Sequence, residues 1–358
     1  MPATILARTQ PIHVVYGGAH LFNAGTCTKL GELARRSVFD TDLARALGLP
    51  DEVAARVSEK LQREPLEDFR IDFEDGFGVR PDAEEDATAL KAASEIQNAS
   101  LPRHCGIRVK AGPRGVRTLR LFLDNCGSLP ATFVVTLPKI SSPAEVAALV
   151  AALQDHPELG IEIMIETPQA VLGMRDLVDA AEGRCVAAHF GAYDYLASLG
   201  IAAQDLQHPA CDFARAQMLV QLAGTGVWLS DGATNVLPLK GSNIPAAWKQ
   251  HYDNTRRALY NGFYQGWDLH PAQIPARYAA VFSFFHEGME AASARLKNFV
   301  AAAAQATHVG GVFDDAATGQ GLLNYFLRAR ACGALTETLP IEELAKLLGR
   351  RVELSASY

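Results

Sequence analysis

The sequence predicts an α/β fold, a (β/α)8 TIM barrel, and three observations lead to this fold class. Eight short segments rich in β-branched and aromatic residues have strand patterns, and segments with helical periodicity separate them. Consecutive parallel βα units are right-handed, and in a chain of 358 residues eight of them close more naturally than they stay open. Charged residues also follow several strands directly, at the face where barrel enzymes keep their chemistry.

The predicted strands and helices alternate along the chain. The strands cover residues 13–22, 69–76, 106–110, 132–137, 161–168, 185–190, 225–229 and 266–271. The helices cover residues 29–36, 41–62, 82–98, 116–125, 143–153, 169–181, 213–222, 248–261, 279–304, 320–331 and 341–349. Thr41 or Asp42 is the expected N-cap of the second helix, and Pro50 interrupts it. Gly112 and Pro113 are expected to form a turn.

These elements predict how the chain is divided. Residues 1–285 are expected to form the catalytic barrel, with a helical insertion around residues 29–66. Residues 286–358 are expected to form a helical C-terminal extension. This extension has too little mass for a core of its own, so we expect it to pack on a neighbour, either the barrel or, as we favour, another subunit at an interface.

Composition and charge exclude several classes of protein. Apolar residues make up 49% of the chain and charged residues 20%, which is typical of a soluble globular protein. The net charge of -7 and the absence of a Lys/Arg-rich run argue against a nucleic-acid partner. No apolar run approaches the roughly 18 residues of a membrane span, and the first ten residues lack a signal-peptide core. We therefore expect a cytoplasmic protein with no membrane partner.

The spacing of the cysteines and the absence of common enzyme motifs exclude further classes of protein. The six cysteines are scattered without a C-x-x-C pair, so neither a zinc site nor a disulfide framework is indicated. A P-loop, a dinucleotide-binding glycine fingerprint and a G-x-S-x-G motif are all absent from the sequence. His286 and Glu287 lack the second histidine that a zincin needs. Several common enzyme classes are thereby excluded.

Two acidic residues at neighbouring strand ends are the candidate metal ligands. Glu166 ends the apolar strand that Thr167 and Pro168 terminate, and Asp194 follows the next strand. Carboxylates without a Cys or His cluster suit a hard cation such as Mg²⁺, with Mn²⁺ as an alternative. The other interpretation is structural: Glu166 would be an N-cap or a solvated strand end, and Asp194 would cap the following helix.

Other polar residues at strand ends are candidates for catalysis and substrate binding. Arg108 can bind a carboxylate or an oxyanion through two nitrogens, or else pair with the acids around Glu74 and Asp75. Lys139 could form a Schiff base if burial lowered its pKa. Asp231 and His270 complete the predicted substrate-binding set with Arg108 and Lys139, although His270 could instead tie strand eight to its loop.

Six motifs, in this order, resemble the HpcH/HpaI aldolase and citrate lyase β-subunit family. They lie at the ends of the predicted strands and fall within residues 69–331. The motifs are Ile-Asp-Phe-Glu-Asp-Gly at 71–76, Ile-Arg-Val at 107–109, Leu-Pro-Lys at 137–139, Ile-Glu-Thr-Pro at 165–168, Phe-Gly-Ala-Tyr-Asp at 190–194 and Leu-His-Pro-Ala-Gln-Ile at 269–274. Each motif is weak alone, but their order makes the resemblance specific.

The resemblance implies a phosphoenolpyruvate/pyruvate-type barrel that uses Mg²⁺ in carbon–carbon bond cleavage or formation. It assigns Glu166 and Asp194 to the metal and Arg108 to the substrate, with Glu74 and Asp75 behind the metal waters. It also implies that Asp315, in a Gly-Val-Phe-Asp-Asp-Ala segment, serves the active site of a neighbouring subunit. The general base would be this Asp315 or a metal-bound water. A homo-oligomer, either a trimer or a hexamer, is expected on the same ground.

The function expected from these residues is that of a Mg²⁺-dependent lyase or aldolase. A small 2-oxo or 2-hydroxy carboxylate, or its coenzyme A thioester, would be cleaved or formed through an enolate stabilised by the metal and Arg108. Three alternatives stay open: a condensing enzyme similar to malate synthase, a Schiff-base aldolase using Lys139, and a non-catalytic barrel used for binding or assembly. Whether coenzyme A is involved and which acid is the substrate are open as well.

Overall fold

The protein is a closed barrel of eight parallel strands, as the sequence predicts. The computed structural model describes residues 9–39, 41–309 and 316–335. The strands follow chain order around the barrel, and β8 pairs with β1 to close it. They are β1 His13–Gly18, β2 Asp68–Asp72, β3 His104–Arg108, β4 Phe133–Leu137, β5 Gly160–Ile165, β6 Cys185–Phe190, β7 Trp228–Asp231 and β8 Gln265–Asp268.

Helices surround the barrel and connect its strands. Those that precede β5 are α1 Thr26–Arg36, α2 Leu43–Leu47, α3 Asp51–Arg63, α4 Asp82–Ile96, α5 Gly112–Leu123 and α6 Pro143–Ala152. Those that follow β5 are α7 Pro168–Leu172, α8 Met174–Asp179, α9 Ala192–Ser198, α10 Pro209–Leu222, α11 Ile244–Tyr260, α12 Ile274–Val309 and α13 Ala316–Ala331. Short 3-10 turns occupy Ala19–Leu21 and Pro271–Gln273. No helix in the described ranges is long and apolar enough to cross a membrane.

The alternation along β2 shows how the sequence builds both faces of the barrel wall. Phe69 stacks on Phe22 of the layer outside the barrel, with ring centroids 6.0 Å apart. Arg70 points to the other face, where it reaches Glu162 of β5 across the barrel interior. All five residues of the strand are buried, because helices cover one face and the barrel interior encloses the other.

A network of charged side chains fills the middle of the barrel, where branched apolar residues are usual. Arg70 forms two hydrogen bonds to Glu162, at 2.8 Å and 2.5 Å, and a further ion pair with Asp68. Thr136 donates to Glu162 at 2.7 Å, and His189 lies 3.2 Å from the same carboxylate. All of these side chains are buried, so each charge depends on its partners rather than on water.

Most predicted helices and strands are present, and the differences lie at helix ends that contain glycine or proline. Asp42 caps α2 by accepting from Arg45 N, and the predicted break at Pro50 separates α2 from α3. The expected turn at Gly112 is instead the first turn of α5, because Pro113 fits the start of a helix. The predicted helix 169–181 is divided at Gly173 into α7 and α8.

Strand β7 begins at Trp228 rather than at residue 225. Gly224 and Gly226 have φ angles of 75° and 79°, which keep this stretch out of the extended conformation. The shift makes Asp231 the last residue of the strand, where the prediction had placed it in the loop. All six cysteines are free, consistent with the absence of a predicted disulfide framework.

The helices of the C-terminal part continue the barrel layer. The predicted boundary between residues 285 and 286 falls inside α12, a 36-residue helix. Helix α13 packs on α12, and Tyr325 donates to the Phe285 carbonyl at 2.6 Å. The division at residue 285 and the interface role of the extension stay predictions, and the predicted helix 341–349 lies outside the described residues.

Candidate active site

Six of the predicted site residues meet at the mouth of the barrel, at the carboxyl ends of β2 to β6. Parallel strands bring these ends to one face, so residues distant in sequence become neighbours. They are Glu74 and Asp75 after β2, Arg108 at the end of β3, Lys139 after β4, Glu166 after β5 and Asp194 in α9. We call these six residues and Asp72, the last residue of β2, the mouth cluster. Negative charge is in excess, because five carboxyl groups face two cations.

Arg108 is held rigidly by Asp72. Its Nε and Nη2 donate to the two Asp72 carboxylate oxygens at 2.7 Å and 2.5 Å, a bidentate pair. Asp72 also accepts from the backbone nitrogens of Glu74 and Gly76, so one carboxylate fixes both the arginine and the loop after β2. The predicted ion pair between Arg108 and these acids is therefore present, and it leaves Nη1 as the nitrogen outside the bidentate pair.

Two aromatic residues, which the sequence analysis did not single out, pack around Arg108. The guanidinium carbon lies 4.8 Å from the ring centroid of Tyr16 on β1 and 5.2 Å from that of Trp267 on β8. The two rings contact each other, with centroids 4.4 Å apart. Since β1 and β8 close the barrel, only the closed fold brings these residues together; their aromatic character at strand positions was the available signal. They direct Nη1 toward Glu74, whose Oε2 is 3.3 Å away.

Lys139 lies at the centre of the mouth cluster. Its ammonium group contacts Glu74, Asp75 Oδ1 at 3.0 Å and Asp194 Oδ2 at 3.7 Å. Burial lowers the pKa of Lys139, but its bonds to Glu74 and Asp75 outweigh burial and hold that pKa above its ordinary value. A Schiff-base lysine needs the opposite shift, so this environment disfavours the Lys139 aldolase.

The backbone of Lys139 is also unusual. Its φ of 51° lies in the left-handed region, which non-glycine residues seldom adopt. In this conformation the Lys139 backbone nitrogen donates to Glu166 Oε1 at 2.6 Å. The loop after β4 therefore reaches the carboxylate of the neighbouring strand through its main chain. Such backbone strain is concentrated at functional sites.

Glu166 is a buried carboxylate with few compensating charges. Only 2% of the residue is exposed, so a solvated strand end is excluded, and Thr167 rather than Glu166 caps the helix that follows. Burial, helped by the nearby charge of Asp194, raises the pKa of Glu166 to about 7, although the hydrogen bond from Lys139 N acts to lower it. A Cβ on Gly191 would come within 2.2 Å of Glu166 Oε2, so only glycine leaves room for this carboxylate.

Asp194 faces Glu166 from the first turn of α9. Its side chain makes no N-cap hydrogen bond, because Gly191 occupies the N-cap position of the helix. The side chain is 43% exposed and has the Lys139 ammonium as its ion-pair partner. The capping interpretation of Asp194 is therefore wrong, and its partly exposed carboxylate is accessible at the mouth.

Glu74 and Asp75 titrate as a pair. Burial and the proximity of Asp75 raise the pKa of Glu74. Burial also acts to raise the pKa of Asp75, but its hydrogen bonds with Glu74 and Lys139 hold that pKa below its ordinary value. Two adjacent carboxyl groups in a partly buried site favour a single shared negative charge unless a cation joins them.

The carboxylates of the mouth fit a magnesium ion with water and substrate as further ligands. Within residues 9–39, 41–309 and 316–335, no three acidic, histidine or cysteine side chains are close enough to form a complete metal cage. Mg²⁺ does not need one, since it takes one or two carboxylates and keeps several waters. The raised pKa of Glu166 marks a buried carboxylate that lacks a compensating charge, which a bound cation would supply, and Gly191 leaves room beside its Oε2.

Asp231, the last residue of β7, and His270, shortly after β8, also lie at strand ends, but both side chains have structural partners. Asp231 pairs with Arg215 of α10 at 2.8 Å and accepts from Gly232 N, so its carboxylate is occupied by structural partners. His270 accepts from Ala272 N through Nδ1 at 3.1 Å and holds the turn after β8, as the structural interpretation expects. Burial lowers the pKa of His270. Asp315 lies outside the described residues. Substrate binding by Asp231 and His270 stays a prediction.

Comparison with solved structures identifies the fold. A citrate lyase from Burkholderia xenovorans LB400 is 19% identical, with a TM-score of 0.62, and the alignment covers 94% of this chain and 96% of that one. RipC from Yersinia pestis is 19% identical, with a TM-score of 0.51, over 76% and 95% of the two chains. The malate synthase of Haloferax volcanii, solved as a lead(II) complex, is 15% identical, with a TM-score of 0.53, over 76% and 73%.

The sequence itself is more distinctive than the fold. A comparison with curated proteins finds no significant match. One family model matches nearly the whole chain, from residue 4 to residue 354, and its description is Domain of unknown function (DUF6986). The match includes the barrel, the mouth cluster and the C-terminal helices, so the chain belongs to the DUF6986 family.

Proposed function

We propose that this protein is a Mg²⁺-dependent carbon–carbon lyase that acts on a 2-oxo or 2-hydroxy carboxylate or on its coenzyme A thioester. The observation that carries the proposal is the meeting of Glu166, Asp194 and Arg108 at one barrel mouth. Two carboxylates on neighbouring strand ends would hold the metal, while a fixed guanidinium would bind the anionic substrate. The six motifs that resemble the citrate lyase β-subunit family contain these same residues.

Each residue has a separate task in this proposal. Glu166 and Asp194 would ligate Mg²⁺, which when bound stabilises negative charge that develops on the substrate oxygen. Arg108 would direct Nη1 at the same charge, and its bond to Asp72 means that it needs no reorganisation during the reaction. Glu74 and Asp75 would hold the metal waters. The proton would be moved by Asp315 of a neighbouring chain, which also requires a homo-oligomer.

The structural neighbours support the class of enzyme. One is described as a citrate lyase and another as a malate synthase. The malate synthase also supports a second candidate, in which the same site runs as a condensing enzyme. Both reactions use the same charged residues, so they differ in direction and acceptor rather than in the metal site. A cytoplasmic location and a trimer or hexamer belong to the same proposal.

Thermal unfolding tests the proposal. The wild type and Glu166→Gln are compared in EDTA, in Mg²⁺, and in Mg²⁺ with oxalate. A ligand at a hundred times its dissociation constant adds about 2.7 kcal/mol to the unfolding free energy, a clear rise in Tm. We expect this rise for the wild type and its loss in Glu166→Gln.

Glu158→Gln is the matched control, because it removes an exposed glutamate distant from the mouth cluster. It should respond to Mg²⁺ and oxalate as the wild type does. An equal response of wild type and Glu166→Gln, or no response of either, would show that Glu166 is structural. The non-catalytic barrel would then be the better description.

A further inference from the structure

Lys139 lies among the carboxylates of the mouth cluster. Its ammonium group contacts Glu74, Asp75 and Asp194, three of the five acids of the mouth cluster. Its backbone nitrogen bonds the fourth, Glu166. The lysine therefore supplies positive charge to the same oxygens that the proposed function assigns to Mg²⁺ and its waters.

The two cations of the mouth cluster differ in their freedom to move. Arg108 is 1% exposed, bonded to Asp72 through two nitrogens and packed against two aromatic rings. Lys139 has a side chain that is 37% exposed and ends in a point charge on a flexible four-carbon stem. Of these two, Lys139 is the cation that can leave the acids without disturbing the barrel.

The main chain of Lys139 is anchored independently of its ammonium group. The bond from Lys139 N to Glu166 fixes the backbone, and the left-handed φ of 51° sets the direction of the side chain. A swing of the side chain about its own torsions leaves the Glu166 contact in place. The geometry thus separates a fixed backbone donor from a movable charge.

We propose that Lys139 is an internal counter-ion that competes with Mg²⁺ for the mouth cluster and, once displaced, pairs with the anionic ligand. This inference rests on the proposed function. Mg²⁺ and an ammonium group repel each other when they share carboxylates, so metal binding alone must displace the lysine. An anion that pairs with the displaced ammonium group lowers the free-energy cost of this displacement. Metal and anion then bind cooperatively, and each raises the affinity of the other by the same factor.

Isothermal titration calorimetry with MgCl₂, with and without sodium oxalate, tests the proposal. Lys139→Met removes the competing charge and keeps the apolar stem. It should bind Mg²⁺ about tenfold more tightly than the wild type in the absence of oxalate. Oxalate should raise the Mg²⁺ affinity of the wild type by a factor about tenfold larger than that by which it raises the affinity of Lys139→Met, in which only the metal and Arg108 bind the anion. Lys139→Arg keeps the charge and should behave as the wild type does.

Lys110→Met is the matched control. Lys110 follows β3 at the same face of the barrel, but its partner is Glu85 at 2.6 Å, outside the mouth cluster. Its removal should leave both Mg²⁺ affinities unchanged. Equal Mg²⁺ affinity in the wild type and Lys139→Met, or weaker binding by the variant, overturns the counter-ion role and leaves the proposed function standing. Failure of the wild type to bind Mg²⁺ even with oxalate overturns both.

A second measurement needs no substitution and covers the case in which Lys139→Met does not fold. Amine-reactive labelling of the wild type, followed by peptide mass spectrometry, reports how free the Lys139 amine is. Added MgCl₂ should increase the labelling rate of Lys139 several-fold and leave that of Lys110 unchanged. An unchanged rate at Lys139, under conditions where calorimetry detects Mg²⁺ binding, contradicts the displacement.

Discussion

Two glutamates of one short segment, Glu162 inside β5 and Glu166 just after it, occupy opposite electrostatic environments. Each is 2% exposed. Burial acts to raise the pKa of Glu162, but Arg70 and His189 overcome it and hold that pKa far below its ordinary range. Burial raises the pKa of Glu166 to about 7, because its bond to a backbone N–H does not compensate for the lost water. Burial alone therefore does not set the charge of a carboxylate.

The difference shows how the barrel separates stability from binding. In the middle of the barrel, Arg70 is paired with Asp68 and Glu162, so these charges already have partners inside the fold. At the mouth, the acids outnumber the cations, and one cation is held by a flexible stem. The second arrangement is the one that a metal and an anion would complete. If this comparison is right, substitutions in the two regions should differ in their effects on unfolding free energy and on metal binding.

The largest effect is expected from Arg70→Met. The substitution leaves the buried carboxylates of Asp68 and Glu162 without their cation, which costs about 3–5 kcal/mol of unfolding free energy. Urea unfolding followed by circular dichroism measures the change. Arg117→Met is the control, because the Arg117 side chain is 58% exposed and its loss should cost at most about 1 kcal/mol. Similar losses of unfolding free energy in both variants would mean that Asp68 and Glu162 do not depend on Arg70 for their stability.

The pH dependence of stability in EDTA should distinguish Glu166 from other glutamates. The folded-state pKa of about 7 lies above the ordinary value of 4.5, so between these values the folded protein binds more protons than the unfolded chain. Stability contributed by protonated Glu166 is present below pH 4.5 and is lost as pH rises to 7. Between pH 4.5 and 7, the unfolding free energy of Glu166→Gln should therefore rise by about 2–3 kcal/mol relative to that of the wild type.

Urea unfolding at several pH values between 4.5 and 8 makes this measurement, with Glu158→Gln as the control. The free-energy difference between wild type and Glu166→Gln should grow with pH, and it should exceed any change seen for Glu158→Gln. A difference that shrinks as pH rises would mean that Glu166 is paired in the folded protein. Glu166 would then resemble Glu162, and the contrast between the two regions would fail.

A smaller effect is expected from Gly191→Ala. The added methyl group would approach Glu166 Oε2 within 2.2 Å, so the carboxylate must shift at a cost of about 1–3 kcal/mol. The Mg²⁺-dependent rise in Tm should be reduced as well, because the displaced carboxylate is the proposed ligand. Gly321→Ala in α13 is the control: nothing lies near the new methyl group, and alanine favours a helix by up to about 1 kcal/mol. If Gly191→Ala were as stable as Gly321→Ala and kept the full Mg²⁺-dependent rise in Tm, the Glu166 side chain would have room to shift without cost.

Much of the fold and part of the site could be predicted from the sequence. Strand patterns and the convergence of parallel strand ends placed Arg108, Lys139, Glu166 and Asp194 together at one mouth. Asp231 ends β7, whereas the sequence pattern ends that strand at residue 229. Its ion pair with Arg215 of α10 joins two elements, and no local sequence pattern indicates it.

Contacts that depend on barrel closure could not be predicted. Arg70 and Glu162 lie far apart in sequence, and their pairing requires the register of the strands between them. The same holds for Tyr16 and Trp267, which meet Arg108 only because β8 returns to β1. The left-handed backbone of Lys139 has no sequence signal either, since the residue is neither glycine nor asparagine.

A crystal structure of the protein with Mn²⁺ and oxalate, with anomalous scattering data recorded for manganese, tests the metal assignment most directly. Mn²⁺ favours the same oxygen ligands as Mg²⁺ and gives a signal that locates it without ambiguity. We expect one anomalous peak between the carboxylates of Glu166 and Asp194, with oxalate reaching Arg108 Nη1 and no peak at Glu162. A peak elsewhere, or none at the mouth when calorimetry of the same protein detects Mn²⁺ binding, would contradict the proposed site.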